Sequence, residues 1–141
     1  MRSGKVLLDT GPLVAYFNKK DRYHDWAIAQ FAMINPPLLT CEAVLSEACF
    51  LLRHYEMGAE NVLELLERGL LTIPFRLENE LSAIKGLLLR YKNIPMSLAD
   101  GCLVRIAEQN ATSVILTTDS DFRIYRKNKR NIIRTIMPDD L

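Results

Sequence analysis

Two unbroken apolar runs set the terms for this chain: Val6-Leu7-Leu8 near the start and Val114-Ile115-Leu116 near the end, each followed within three residues by an aspartate, Asp9 and Asp119. A run without polar alternation, bounded by turn signals such as Gly11-Pro12, reads as a strand buried on both faces. Strands of that kind belong to parallel sheets covered by helices, so the first expectation is an α/β fold. Lys5–Asp9 is the first strand, and Ser113–Thr118 carries the strongest strand signal.

The segments between them alternate in the same sense. Pro12 opens a helical turn through Phe17, and Asp21–Ile34 has helical spacing in Trp26, Ile28, Phe31 and Ile34 before Pro36-Pro37 stops it. Leu38-Leu39 is a brief strand, and Thr40 is placed to cap a helix running to about His54. Glu60–Arg68 and Leu77–Tyr91 read as helices, with Leu71–Phe75 a strand between them; Ser97 starts a further helix ending near Asn110, and Ile132–Ile136 is a last strand. The expected architecture is a mainly parallel central sheet flanked by helices, in a single domain over residues 1–141. Ligands of such folds sit beyond the carboxyl ends of the strands, where Asp9 and Asp119 fall.

Composition narrows the function. With 49% hydrophobic and 25% charged residues the chain is that of a compact globular protein. Its 18 Lys and Arg against 17 Asp and Glu leave a net charge of +1, so any polyanion site must come from local clustering. The clearest cluster is Arg123, Arg126, Lys127, Lys129 and Arg130, although a charge run is also what a solvated surface looks like. Cys41, Cys49 and Cys102 form no CxxC pair and read as small buried thiols of a reducing compartment. No segment has the length of a membrane span or the apolar core of a signal peptide, and the expected location is the cytoplasm.

Four acids stand out against this background. Asp9 ends the first strand; Glu47 lies at the edge of the arc formed by Val44, Leu45, Ala48, Leu51 and Leu52; Asp100 lies beside Leu103, Val104 and Ala107; and Asp119 follows the strand of Val114–Leu116. Each has a plain alternative. Asp9 can cap a turn, Glu47 can reach water from a boundary position, Asp100 fits the third position of a capping box opened by Ser97, and Asp119 and Asp121 can cap a short helix. Together, four carboxylates from distant parts of the chain point to a shared cation, because unpaired buried carboxylates are costly. An all-oxygen donor set suits Mg²⁺ or Mn²⁺ and, through such an ion, phosphodiester hydrolysis. The basic residues Arg123, Arg126 and Lys127 would then hold a nucleic-acid backbone. Zinc is disfavoured, since only His24 and His54 are available and the cysteines lack ligand spacing.

Leu7-Leu8-Asp9-Thr10, Val44-Leu45-Ser46-Glu47-Ala48, Ser97-Leu98-Ala99-Asp100 and Thr117-Thr118-Asp119-Ser120-Asp121-Phe122 resemble, in order and spacing, the acidic motifs of PIN-domain ribonucleases, particularly VapC-type toxins. The resemblance spans nearly the whole chain. It implies a PIN-like three-layer fold, an Mg²⁺- or Mn²⁺-dependent endoribonuclease, a homodimer, and inhibition by a small antitoxin protein. Position by position, Asp9, Glu47, Asp100 and Asp119 match the catalytic quartet, with Asp9, Asp100 and Asp119 as metal ligands. Asp121 matches a fifth contributor, Thr10 and Thr117 match accessory hydroxyls, and His24 and Trp26 match loosely a region at the mouth of the site.

Other readings stay open at this level. Asp119-Ser120-Asp121 after an apolar strand is similar to the nucleophile motif of haloacid-dehalogenase-like phosphohydrolases, although Phe122-Arg123 stands where that motif wants small residues. A response-regulator receiver would need an acidic neighbour for Asp9. An RNA-processing PIN nuclease without a toxin role, or a PIN-like module that binds RNA or a partner without cutting, would carry much of the same sequence.

Overall fold

The computed structural model describes residues 4–141, so the first three residues of the expected domain lie outside the described residues. The chain runs β1 (Lys5–Leu8), α1 (Thr10–Phe17), α2 (His24–Met33), β2 (Leu38–Leu39), α3 (Glu42–Leu51), α4 (Gly58–Glu67), β3 (Leu71–Thr72), α5 (Leu81–Arg90), α6 (Leu98–Gln109), β4 (Ser113–Leu116), β5 (Arg126–Lys127), β6 (Asn131–Ile132) and β7 (Thr135–Ile136). Short 3₁₀ turns at Leu77–Asn79 and Ser120–Arg123 join the set.

Five strands form one sheet in the order β3-β2-β1-β4-β7, and every pair in it is parallel. From β1 the chain steps outward to β2 and β3, then returns past β1 to β4 and β7. Right-handed crossovers in the two directions put the helices on opposite faces, giving three layers. The reversal of strand order falls between β1 and β4, which pair in register from Lys5↔Ser113 to Leu8↔Leu116. The sequence expectation of an α/β, mainly parallel sheet flanked by helices is therefore met. One apolar cluster fills the space between the layers, with Leu7, Leu8, Leu13, Leu103, Ile106, Ile115 and Leu116 fully buried.

Several expected boundaries move, each for a local reason. The helix expected from Asp21 begins at His24, because Asp21 folds a turn by accepting the Tyr23 N–H on its side chain and the His24 N–H on its carbonyl. Thr40 does not cap α3. Its hydroxyl donates to the Leu8 carbonyl at 2.9 Å, tying β2 to β1, and Cys41 precedes the helix without a side-chain cap. That helix also ends at Leu51 instead of His54. The strand at Leu71 stops after Thr72, two residues short of Pro74, which has no N–H for a ladder. The expected helix Leu77–Tyr91 breaks at Glu80, whose carboxylate is held by Arg105 Nε at 2.7 Å. Ile132–Ile136 is two strands, because the chain leaves β5 after Ile132 and joins β4 at Thr135.

The start of α1 is packed against the loop after β4 where these elements meet. A Cβ built on Gly11 would lie 2.0 Å from Thr118 Oγ1 and 3.2 Å from Thr118 Cβ. Gly11→Ala is therefore expected to cost about 1–3 kcal/mol of overpacking strain. Thr118→Ala in the same chain should recover most of the loss, as chemical denaturation would show, whereas an unchanged midpoint for Gly11→Ala alone would contradict the close approach.

Candidate active site

Asp9 leaves β1 at the seam with β4, its own N–H donating to the Leu116 carbonyl at 3.1 Å. Its carboxylate is buried and both oxygens are engaged: Oδ1 accepts the Thr10 N–H at 2.8 Å, and Oδ2 accepts the Thr117 hydroxyl at 2.6 Å. Asp9 thus caps α1, as the plain reading had it, and faces β4 as well. Thr117 is fully buried, and its oxygen also accepts the Asp119 N–H at 2.9 Å. One hydroxyl therefore sets the positions of two acids.

Asp119 folds over the next turn by accepting the Asp121 N–H on Oδ1 at 2.9 Å, which leaves it half-buried at the sheet edge. Asp100 enters from the opposite direction, in the first turn of α6. The capping box with Ser97 is present, with Asp100 N–H donating to Ser97 Oγ and Ser97 N–H donating to Asp100 Oδ2. Leu103, Val104 and Ala107 are buried on the same face of α6. The cap turns this carboxylate inward; it does not replace the inward-facing role.

These three aspartates share one electrostatic environment. Burial pushes the Asp9 carboxyl up from 3.8 to about 7, against the Thr117 hydroxyl and the Thr10 N–H, and the charges of Asp100 and Asp119 push the same way. The Asp100 carboxyl is also raised, first by burial and then by Asp119, with the Ser97 N–H, the Ser97 side chain and the Tyr125 hydroxyl opposing. Among the described residues no three His, Cys, Asp or Glu side chains close into a finished metal cage. The trio is bound by mutual repulsion in a partly dry setting, and this is the condition that a divalent cation relieves. The donor set is all oxygen, which by its chemistry suits a hard cation. Thr10 Oγ1, buried beside Asp9 without a hydrogen-bond partner, adds a free oxygen at the same place.

Other predicted residues lie elsewhere. Glu47 is exposed on α3 and is not among the charges that most displace Asp9 or Asp100. Asp121 is half-buried and its charge is felt at Tyr125. The three basic residues are held by backbone carbonyls: Arg123 by Leu141, Arg126 by Arg123, Ile124 and Tyr125, and Lys127 by Ala111. His24 bonds the Ala15 carbonyl through Nδ1. Cys41 and Cys102 are buried and Cys49 half-buried, all as free thiols.

Sequence reasoning missed Tyr125. Its ring is fully buried, packed edge-on against Tyr91 and Phe122, and its hydroxyl donates to Asp100 Oδ2 at 3.3 Å. Burial and the charges of Asp100, Asp121 and Asp119 push its own ionisation well above the usual range, so it remains a donor. The available signal was an aromatic spacing, Phe122 and Tyr125, directly after the last acidic pair.

The chain matches the model of the PIN domain family over residues 6–128, and it belongs to that family. PIN domains are in general metal-dependent nucleases, and this defines the class: a nuclease-type α/β fold with its acids at the seam between the two central strands. No curated protein matches the chain closely enough to supply a nearer relative.

The pH dependence of the metal-free protein follows from Asp9. In the folded state its carboxyl keeps a proton up to about 7, while the unfolded chain loses it near 3.8. Between those values the folded state binds more protons, so stability falls as pH rises through the window, and Asp100 acts in the same sense. With chelator present, thermal unfolding should occur at a higher temperature near pH 5 than near pH 8. Asp9→Asn should flatten that slope and stabilise the metal-free chain at the higher pH; an equally steep slope in the variant would contradict the assignment.

Proposed function

We propose that this chain is an Mg²⁺- or Mn²⁺-dependent endoribonuclease that hydrolyses RNA phosphodiester bonds, acting as the toxin of a toxin–antitoxin pair. The observation that carries the nuclease reading is the convergence of Asp9, Asp100 and Asp119 near the β1/β4 seam, where strand order reverses. A divalent cation bound there supplies positive charge for the phosphate oxygens and lowers the pKa of an attacking water.

The protein's own groups do the positioning. Thr117 holds Asp9 Oδ2 and the Asp119 backbone in one fixed relation, and the Thr10 N–H fixes Asp9 Oδ1. Each of these oxygens keeps a lone pair for a ligand. Tyr125 and the Ser97 N–H both engage Asp100 Oδ2, which leaves Oδ1 as the oxygen without a hydrogen bond. Glu47, exposed on α3, is assigned the role of proton acceptor or outer ligand from the motif resemblance alone. Arg123, Arg126 and Lys127, in the segment after Asp121, would meet the RNA backbone with the N–H groups that their carbonyl partners leave free.

The toxin role, the small antitoxin protein and the homodimer rest on the resemblance of the ordered acidic motifs to VapC-type toxins. Phe50, Leu51, Tyr55, Met57 and Leu63 expose apolar surface on and around α3 and α4, which supports a protein partner on that side. Among the described residues no helix is long and apolar enough to cross a membrane.

Purified protein freed of any bound inhibitor should cut single-stranded RNA with Mg²⁺ or Mn²⁺, and chelator should stop it. Asp9→Asn and Asp119→Asn, shown by circular dichroism to be folded, should be inactive. Cleavage that survives chelation or both substitutions, or cleavage of DNA with RNA left intact, would overturn the reading.

A further inference from the structure

A cleft of about 670 Å³ lies away from the aspartates. It lies between α5, α6 and the turn joining β5 to β6, with Ala83 and Gly86 among the residues of its floor and Arg90, Arg105, Arg126 and Lys129 around it. A Cβ added at Gly86 would meet nothing within 4 Å, so the floor is open. Arg105 is neutralised by Glu80 and Glu108, at 2.7 and 3.2 Å. Glu108, the one carboxylate lining the cleft, is occupied by Arg105 and by the Asn128 N–H at 2.7 Å. What remains is cationic. Arg90 uses one nitrogen on the Lys129 carbonyl, and Lys129 has no ion-pair partner among the described residues.

The turn that presents Lys129 is strained in a telling way. Asn128 and Lys129 both have positive φ, 52° and 68°. Asparagine tolerates that region, whereas lysine is disfavoured there by its Cβ and glycine is not. Lys129 is exposed, so no packing explains its side chain. Its backbone is held by Arg90, and its neighbour Asn128 by Glu108, which fixes the root of the lysine side chain beside the cleft.

The cleft is separate from the acidic site, but one residue step along the chain joins the two. Arg126 lines it, while the preceding residue, Tyr125, touches Asp100. Along α6, Arg105 follows Asp100 by five residues, about 8 Å of helix. We infer that this cleft binds the phosphate backbone of the single-stranded RNA flanking the scissile bond, through Arg90 and Lys129. The inference rests on the ribonuclease reading above and extends its binding site. The cleft has no aromatic side chain among its lining residues to select a base, so the contact is with phosphates and is indifferent to sequence. The step from Arg126 through Tyr125 to Asp100, with two cations free of carboxylate partners, favours the substrate strand over an acidic protein.

The test combines Lys129→Gly, which removes the ammonium and keeps the left-handed turn, with Arg90→Gln. The folded state of the double variant is checked by thermal unfolding, with Lys129→Gly alone expected at or above the parent midpoint. In chelator, fluorescence anisotropy should show an RNA of roughly 16 nucleotides binding about tenfold more weakly to the double variant, while an RNA of about 4 nucleotides binds equally to both. The slope of log K against log salt should fall by about 1.4, near 0.7 for each lost phosphate contact. With metal, KM for the longer RNA should rise while kcat holds. Unchanged affinity and slope for the longer RNA would overturn the inference, as would polyglutamate of matched charge binding the parent protein as tightly as RNA does. If the parent protein cuts nothing yet the binding loss is seen, the ribonuclease reading fails and the cleft assignment stands; cleavage by the parent without any binding loss in the variant separates them the other way.

Discussion

The hydrogen bond from the Thr117 hydroxyl to Asp9 Oδ2 is the contact on which the rest of the site depends. It spans the seam between β1 and β4, two strands far apart in sequence, and it does so inside the protein, where a lone carboxylate is expensive. Because the same oxygen receives the Asp119 N–H, the geometry of two acids is reduced to the rotamer of one threonine. The parallel register of Leu8 with Leu116 brings these residues level, and the sheet order makes that level the point where crossovers diverge. Fold and site are linked through this side-chain hydrogen bond, set at the end of the backbone ladder that joins the two strands.

Burial works against the ionised form of Asp9 and Asp100, and the surroundings only partly offset it. Backbone amides and hydroxyls direct these carboxylates without neutralising them. The arrangement favours folding when a proton or a cation is present and disfavours it when neither is. In a nuclease this is a reasonable division of labour: the scaffold sets direction, and charge balance is left to the bound ion and the substrate.

Much of this could be read in the residues. The two apolar runs gave the central strands and, with their terminal aspartates, the position of the site; the spacing Ser97–Asp100 gave both the start of α6 and an inward carboxylate. What escaped was information that periodicity does not carry. Thr40 looked like a helix cap and instead ties β2 to β1, because a hydroxyl chooses the nearest unpaired carbonyl in space and not in sequence. Glu80 ends a helical pattern because of Arg105, twenty-five residues later. Arg126 looked like a free cation for a nucleic acid, yet three carbonyls of its own loop hold its guanidinium. Tyr125 could not be singled out, since its partner on α6 is fixed only when the β5–β6 hairpin docks.

The order in which these parts are made has its own consequence. Asp9 is synthesised early, whereas Thr117, Asp119 and Tyr125 come only after all six helices. Until β4 slides in beside β1, Asp9 has no Thr117 to accept from, Asp100 lacks its tyrosine, and the three carboxylates are strangers to one another. A growing chain is therefore chemically mute for most of its time on the ribosome. The acidic site is thus assembled late, when β4 and the turn after it join a fold whose six helices are already made.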